Sequence, residues 1–265
     1  MFIPATVTKL TRLESDGPYC IELTLPNSIT IQNKECFIQD GMRPGTGFWI
    51  ESWDEPTIRS NCSINAKGRL QAMIWRTEGI IEGGILGVRV QADPKGNVLR
   101  IEESKGLALE LDSWWCERDF AAIAFSTGIA PFLAYVRYMS LFAFGRALNR
   151  FGRGAHFVLV VSVKEPRQLI CHDELLTLED RFPEHFRYHP ALTREWTEDW
   201  PYTRRRVIRM EQETGRIDLS PLLEVVPDID RRHVRISGGK ESAGQLLKGL
   251  QDNKISPLSI RTQIS

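Results

Sequence analysis

Residues 121–133 read AAIAFSTGIAPFL, an apolar run that a Ser-Thr-Gly turn interrupts before a proline opens a helical pattern. The run Phe120–Phe125 is continuously apolar, which is typical of a strand in a parallel sheet that is covered on both faces. Pro131 stands where a helix favours proline, in its first turn. A strand, a glycine-containing turn and a helix in this order predict one unit of an open parallel sheet.

The same alternation of strands and helices continues to the end of the sequence. It predicts an open parallel sheet with helices on both faces, because crossover helices pack on the two sides of such a sheet. The expected strands and helices after Phe120–Phe125 are helix Pro131–Asn149, strand His156–Val163, helix His172–Phe182, strand Phe186–Leu192, helix Leu219–Val226, strand His233–Ser237, helix Glu241–Gln251 and a last strand in Pro257–Ile264.

The N-terminal part has a different pattern, with short strands separated by turn residues and no long helical periodicity. Regular short strands of this kind predict an antiparallel barrel or sandwich. We expect the boundary near Leu111–Trp115, which gives a barrel domain at 1–111 and an α/β domain at 112–265. The expected strands are Ala5–Leu13, Tyr19–Leu25, Gly47–Trp53, Thr57–Asn65, Arg69–Arg76 and Asn97–Glu103.

Composition excludes several classes of function. Lysine and arginine together number 34, as do aspartate and glutamate, so net charge gives no reason to expect nucleic acid or an anionic membrane as a partner. No apolar run is long enough to span a bilayer and no secretory leader is visible, so the expected location is cytoplasmic. The five cysteines form no C-x-x-C pair and the five histidines no metal-binding spacing, so we expect reduced thiols and no metal.

The turn Ser126-Thr127-Gly128 lies at the carboxyl end of the first parallel strand, where open α/β sheets bind their ligands. Glycine permits close approach to the backbone, threonine offers a hydroxyl, and the free amides of the following helix favour an anion. These residues alone leave open a tight strand-to-helix connection that binds nothing.

A barrel followed by a parallel sheet whose first strand ends S-T-G-I-A-P-F resembles the ferredoxin–NADP reductase superfamily, where the usual wording is G-T-G-I-A-P-F. Three further stretches are similar to family motifs. Residues 186–195 end in Thr193-Arg194-Glu195, Gly215-Arg216-Ile217-Asp218-Leu219 resembles the helix start just downstream, and Ser237-Gly238 stands where the family usually has Cys-Gly.

The resemblance implies that residues 112–265 bind NADP. Thr127 and Gly128 would set the nicotinamide, Gly238 would contact the nucleotide, and Thr193 and Arg194 would hold the adenosine end. Arg216 and the cluster Arg204, Arg205 and Arg206 would pair with the 2′-phosphate that distinguishes NADP from NAD. A solvated loop is the commoner meaning of such an arginine run.

The flavin motif of the family is R-x-Y-S, and here the match is weaker. The stretch is Arg59-Ser60-Asn61-Cys62-Ser63-Ile64. Without a gap, Asn61 replaces the stacking tyrosine and Cys62 the serine that bonds the reactive nitrogen of the ring. With one inserted residue, Ser63 keeps the serine role. Neither register supplies an aromatic plate, although Arg59 is kept for the pyrophosphate of FAD.

Two other family positions are altered. The turn that meets the flavin pyrophosphate corresponds to residues 78–86, where Gly83 and Gly84 would leave backbone amides available and Glu82 brings an unfavourable charge. Ser237 replaces the cysteine that lies beside the nicotinamide in the family. The implied catalytic pair is therefore Ser63 and Ser237.

The resemblance implies an NADPH-dependent FAD flavoprotein that passes electrons to a separate carrier, such as a ferredoxin or flavodoxin, or to an oxygenase component. The departures in the flavin motif leave an alternative, a non-catalytic binding module that has lost FAD. Trp49, Trp53 and Trp75 alternate on the expected barrel strands and are assigned to the barrel's core or rim.

Overall fold

In the computed structural model, the chain forms two compact units. The first comprises 1–110 and 133–137, and the second comprises 111–132 and 138–265. The structure describes residues 1–12, 18–39, 43–45, 47–52, 55–64, 70–74, 80–93, 98–104, 107–112, 115–145, 155–193, 208–209 and 219–264, with no side-chain description at 39, 51–52, 55–64, 104 and 208–209.

Apart from the helical residues 133–137, the described part of the first unit is built of strands. They pair in the order β10-β5-β6-β7-β2-β1-β8-β9-β4-β3, and an additional pairing of β5 with β8 closes six of them into an antiparallel ring. The predicted antiparallel barrel is thereby confirmed. The strands are β1 (Phe2–Arg12), β2 (Tyr19–Thr24), β3 (Ser28–Ile31), β4 (Lys34–Gln39), β5 (Gly47–Ser52), β6 (Glu55–Ile64), β7 (Leu70–Ile74), β8 (Ile85–Ala92), β9 (Val98–Ile101) and β10 (Glu103–Ser104).

Strict alternation along these strands makes the barrel core. Ile3, Ala5 and Val7 of β1 are buried while the residues between them are exposed, since successive side chains of a strand point to opposite faces. Leu70, Ala72 and Ile74 of β7 repeat the pattern. Where side chains are described, the core of this unit therefore consists of every second residue of the ring strands, and the intervening residues face outward.

The second unit contains an all-parallel sheet in the order β14-β13-β12-β11-β15-β16. Its predicted open parallel architecture is confirmed. The elements are β11 (Phe120–Phe125), α1 (Ala130–Phe142), β12 (Phe157–Val163), α2 (His172–Arg181), β13 (Phe186–Leu192), β14 (Ile208–Arg209), α3 (Leu219–Val225), β15 (His233–Gly238), α4 (Lys240–Asp252) and β16 (Ser259–Ile264).

Helices lie on both faces of this sheet. Leu222 of α3 and Leu246 and Leu250 of α4 pack in one cluster with Ile123 and Ile236 of the central strands. On the other face, α2 lies against β13, where His172 Nδ1 is 3.0 Å from the Tyr188 hydroxyl. The central strands β11 and β12 are buried along their whole length, which explains their continuous apolar sequence.

Helix α1 ends earlier than its apolar pattern predicts. It stops at Phe142, and the amides of Ala143 and Phe144 both bond to the carbonyl of Met139. Gly145 then takes a φ of +72°, a conformation that glycine adopts without the penalty of a side chain. Among the described residues, no helix has both the length and the apolar composition needed to cross a bilayer.

A partly buried polar cluster lies at the amino edge of the parallel sheet. The Arg232 guanidinium bonds to both carboxylate oxygens of Asp228, at 2.7 and 2.9 Å, and to His156 Nδ1 at 2.8 Å. Burial and the charge of Arg232 lower the pKa of His156 to about 4. Burial alone would raise the pKa of Asp228, but its hydrogen bonds from Arg232 hold it below the ordinary value. The Asp228 carboxylate therefore neutralises the charge of Arg232, and His156, which stays uncharged at neutral pH, accepts a hydrogen bond from it.

Candidate functional site

The parallel sheet changes direction between β11 and β15. From β11 the chain progresses outward through β12 and β13 to β14, and then returns to place β15 and β16 on the other side of β11. Ligands of open α/β sheets bind at such a switch point, beyond the carboxyl ends of the two strands. Two turns leave these ends, Ser126–Ile129, which we call the sheet turn, and the junction at Gly238 and Gly239.

Glycines let the two turns touch. A Cβ at Gly128 would lie 2.2 Å from the carbonyl oxygen of Ser237 and 2.9 Å from the amide nitrogen of Gly238. Gly238 itself has a φ of +147°, and a Cβ there would lie 2.6 Å from the Cβ of Phe125. The structure thus brings together Gly128, Ser237 and Gly238, three of the residues singled out from the sequence, with Thr127 adjacent on the sheet turn.

The surroundings of this contact suit the phosphates and amide of a nucleotide. Helices α1 and α4 begin directly after the two turns, and neither has a side chain that caps its first amides. Uncapped helix N-termini present N–H groups and a positive dipole end to an anion. Three hydroxyl groups lie at this edge of the sheet and differ in exposure: Ser237 is buried, Thr127 is half-buried and Ser126 is exposed. The residues present therefore fit a dinucleotide.

Thr193 holds the next two strand ends together. Its amide and its hydroxyl both donate to the carbonyl of Val163, at 2.9 and 3.2 Å, and the residue is buried. This contact is a structural one that fixes the carboxyl ends of β12 and β13 side by side. The predicted phosphate-binding arginines Arg194, Arg204, Arg205, Arg206 and Arg216 lie outside the described residues.

Strand β6 carries the whole degenerate flavin motif, Arg59 through Ser63, and its side chains lie outside the description. Its backbone pairing is described. Ser63 is opposite Gln71 of β7 and Asn61 opposite Met73, both half-buried, whereas Cys62 is opposite Ala72 in the barrel core. Ser60 and Arg59 pair instead with β5, opposite Phe48 and Trp49.

The expected pyrophosphate turn of the barrel, Ile81–Gly84, is called the barrel turn below. The amide of Gly83 donates to Val7 at 2.8 Å and the amide of Gly84 to Ile81 at 3.0 Å. Both amides therefore have protein partners, contrary to the expectation that they stay available to a phosphate. The Glu82 carboxylate accepts the amide of Leu10 at 2.8 Å, which ties the same turn to β1. Gly83 has a φ of +80° and no atom within 4 Å of a Cβ, so only its Cα face is open.

Sequence reasoning missed an arrangement on the outer face of the barrel. The Arg89 guanidinium lies 5.8 Å from the ring centre of Phe2 and 5.7 Å from that of Trp49, so one cation contacts two aromatic rings. The three residues lie on β1, β5 and β8, and strand pairing alone makes them neighbours. Alternation within each segment would have put them on one face, but no sequence signal identifies which strands are adjacent.

Comparison with solved structures finds matches over the whole chain. A FAD/NAD binding domain of nitric oxide dioxygenase from Vibrio cholerae has a TM-score of 0.66 at 12% identity, covering 99% of this chain and 98% of the other. A ferredoxin NADP+ reductase from Neisseria gonorrhoeae with bound FAD and NADP has a TM-score of 0.61 at 14% identity, covering 99% and 98%. The chain has the fold of the ferredoxin–NADP reductase superfamily.

A third structure with the ferredoxin–NADP reductase fold, a cytochrome P450 reductase from Amycolatopsis, matches with a TM-score of 0.66 at 13% identity, covering 99% of this chain and 70% of the other. No family model matches the sequence. No curated protein matches it either. The likeness is thus one of backbone and topology, and at the level of the fold it confirms the resemblance to the superfamily stated from the sequence.

Proposed function

We propose that this protein is an NADPH-dependent FAD flavoprotein reductase that passes electrons to a separate protein carrier or oxygenase component. One observation carries the proposal, the contact of Gly128 with Ser237 and Gly238 at the switch point of the parallel sheet. It brings two motifs that are distant in the sequence to one edge of the sheet, where the N-termini of α1 and α4 have no side-chain caps. A nucleotide phosphate is a ligand that such an edge favours.

In this proposal residues 112–265 form the nucleotide domain. The sheet turn and Gly238 bind the nicotinamide end, because they lie at the carboxyl ends of β11 and β15, where their glycines let the two turns meet. Ser237 replaces the family cysteine and supplies a small buried hydroxyl there. Thr127 orients the nicotinamide amide group through its own hydroxyl.

The preference for NADPH is assigned to the arginines beyond β13. Thr193 fixes the end of that strand by its two bonds to Val163, so Arg194 follows from an anchored position. Arg194, Arg204 and Arg216 are proposed to pair with the 2′-phosphate, since a guanidinium bonds phosphate oxygens in a bidentate manner.

Residues 1–111 are proposed to hold FAD on the outer face of the barrel. Ser63 is preferred over Cys62 for the hydrogen bond to the ring, since strand partners share one face of a sheet and its partner Gln71 is half-buried rather than part of the core. Of the two glycines of the barrel turn, only Gly83 is kept as a contact to FAD, through its open Cα face. When bound, flavin connects a two-electron donor to a one-electron acceptor.

The electron acceptor is proposed to be a ferredoxin, a flavodoxin or an oxygenase component, in a cytoplasmic setting. Two of the matched structures are a ferredoxin NADP+ reductase and a cytochrome P450 reductase, which supports an acceptor of this class. The alternative of a non-catalytic module finds no support in these matches.

The decisive experiment is anaerobic reduction of the purified protein after incubation with FAD. We expect bound flavin to bleach with NADPH faster than with NADH. Arg194→Ala should reduce the preference for NADPH by roughly 10- to 100-fold, as expected for one charge-assisted bond. Arg187→Ala removes an exposed arginine from the amino end of β13 and is the matched control. Failure to take up FAD, or bound flavin that neither nucleotide reduces, would reject the reductase.

A further inference from the structure

A row of alternating cationic and aromatic residues crosses four neighbouring strands of the barrel. Arg59 of β6 is paired with Trp49 of β5 through the backbone. The Trp49 ring contacts the guanidinium of Arg89 on β8, and Arg89 is paired with Phe2 of β1 and contacts its ring. We call Arg59, Trp49, Arg89 and Phe2 the cross-strand row.

The described members of this row lie on the outer face of the barrel. Phe48 and Ile50, which flank Trp49, are buried in the core, and Trp49 between them is half-buried. The side chain of Arg89 keeps 40% of its surface exposed and forms an ion pair with Glu102 at 3.3 Å. An aromatic ring beside a solvated guanidinium is a platform on which a base can stack.

The row stands at one end of the proposed flavin site. Arg59 and Ser63 are four residues apart on β6, which corresponds to about 13 Å along a strand. The family resemblance assigns Arg59 to the pyrophosphate and Ser63 to the ring nitrogen. Trp49, directly opposite Arg59 on the neighbouring strand, therefore stands beside the pyrophosphate and far from the flavin ring.

We infer that the cross-strand row binds the adenosine half of FAD, with Trp49 stacking on the adenine and Arg89 holding the ring of Trp49 in place. This inference rests on the proposed flavin-binding function. The contact of Trp49 with the adenine can form with FAD but not with FMN, because FMN lacks the adenylate group. The row thus makes the site selective for FAD over FMN. It also strengthens FAD binding near Arg59, in a site where Asn61 replaces the stacking tyrosine of the family.

The experiment compares FAD and FMN on the same apo-protein, measured by calorimetry or by quenching of flavin fluorescence. Wild-type protein should bind FAD more tightly than FMN. Trp49→Leu keeps an apolar side chain and removes the ring, and it should weaken FAD binding roughly 5- to 100-fold, the effect of one lost base stack, while FMN affinity stays the same. Trp49→Phe is the control and should retain most of the preference for FAD.

FMN binding also reports on the integrity of the variant, so a folding defect is distinguishable from a lost contact. Equal weakening of FAD and FMN in Trp49→Leu would overturn the inference, as would an unchanged FAD affinity. A wild-type protein that binds both flavins equally well overturns the inference and leaves the reductase proposal standing. A wild-type protein that binds neither flavin removes both.

Discussion

The sheet turn and the barrel turn both contain glycine and both resemble cofactor-binding motifs, but their backbones are used differently. In the sheet turn, Gly128 is packed against the carbonyl of Ser237 and the amide of Gly238, and the helix that follows has no side-chain cap. In the barrel turn, the amides of Gly83 and Gly84 are bonded to Val7 and Ile81, and Gly83 has open space around it.

The difference shows that glycine in a motif has two separate meanings. At Gly128 it is required by a close approach between two chain segments, and the helix that follows the turn has no side-chain cap. At Gly83 it is required by a positive φ alone, and hydrogen bonds to Val7 and Ile81 use the amides of Gly83 and Gly84 that a phosphate would need. A glycine motif therefore does not by itself predict that the amides of a turn are available to a ligand.

The largest effect is expected for Gly128→Ala. The added methyl group would meet three backbone atoms of β15, which cannot move aside as a flexible side chain can, so overpacking should lower the free energy of unfolding by about 3 kcal/mol. Urea unfolding measures this. Gly239→Ala, at the same edge with nothing within 4 Å, is the control and should change stability by less than about 1 kcal/mol. Equal effects of the two variants would show that the close approach is not what requires glycine.

The second prediction concerns the pH dependence of stability, which histidines can affect only in the second unit, because all five lie at residue 156 or beyond. The folded pKa of His156 is about 4, below the ordinary 6.5, so the unfolded chain takes up this proton first as pH falls. Stability is therefore lost between pH 6.5 and 4, by about 2 kcal/mol once the partial solvent exposure of the ring is allowed for.

His156→Asn tests this loss, since its amide oxygen still accepts from Arg232 but does not titrate. Unfolding free energies at pH 7 and pH 4.5 should differ less in the variant than in the wild type. The same difference in both proteins would mean that carboxylates alone produce the acid sensitivity.

A smaller effect is expected for Gly83→Ala in the barrel turn. There the new methyl group meets no atom, and the cost is the left-handed backbone at φ +80°, about 1 kcal/mol. Thermal unfolding of this variant beside Gly128→Ala compares a cost of conformation with a cost of contact. A loss as large as that of Gly128→Ala would contradict the open surroundings of Gly83.

The smallest effect is expected for the opposite kind of change in the sheet turn, where a residue with positive φ is replaced by glycine. Ser126 has a φ of +54° where the family usually has glycine, and its side chain is exposed. Ser126→Gly relieves a left-handed residue but increases the freedom of the unfolded chain, so the net gain should be about 0.5 kcal/mol. A loss of stability would indicate that the serine side chain makes a contact that outweighs its backbone conformation.

Much of the parallel sheet could be predicted from the sequence because each strand there is an uninterrupted apolar run. Phe120–Phe125 and Phe186–Leu192 begin and end as predicted. The barrel was harder. Strands β3, β4 and β8 were missed. The turn between β3 and β4 is Gln32-Asn33, with φ values of +50° and +63°, whereas the usual sequence signal for such a hairpin is Asn-Gly.

The candidate site divides in the same way. The sequence identified Thr127, Gly128 and Gly238 because a few local motifs carry them, whereas the row of Phe2, Arg89 and Trp49 depends on which strands lie side by side. The sequence also predicted that the amides of Gly83 and Gly84 are available to a ligand, whereas in the structure they donate to Val7 of β1 and to Ile81 of the same turn. Local sequence does not reveal which backbone groups a distant strand will bond.

By itself, the sequence determined that a barrel of alternating strands precedes a parallel sheet of buried strands, because periodicity and turn residues act over a few neighbours in the chain. Only the tertiary structure decided that Gly128 must meet Ser237 and that Trp49 lies between Arg59 and Arg89 in the register of the barrel. Those contacts join residues that are between ten and more than a hundred positions apart. Strand order and register, which no local pattern specifies, bring them together.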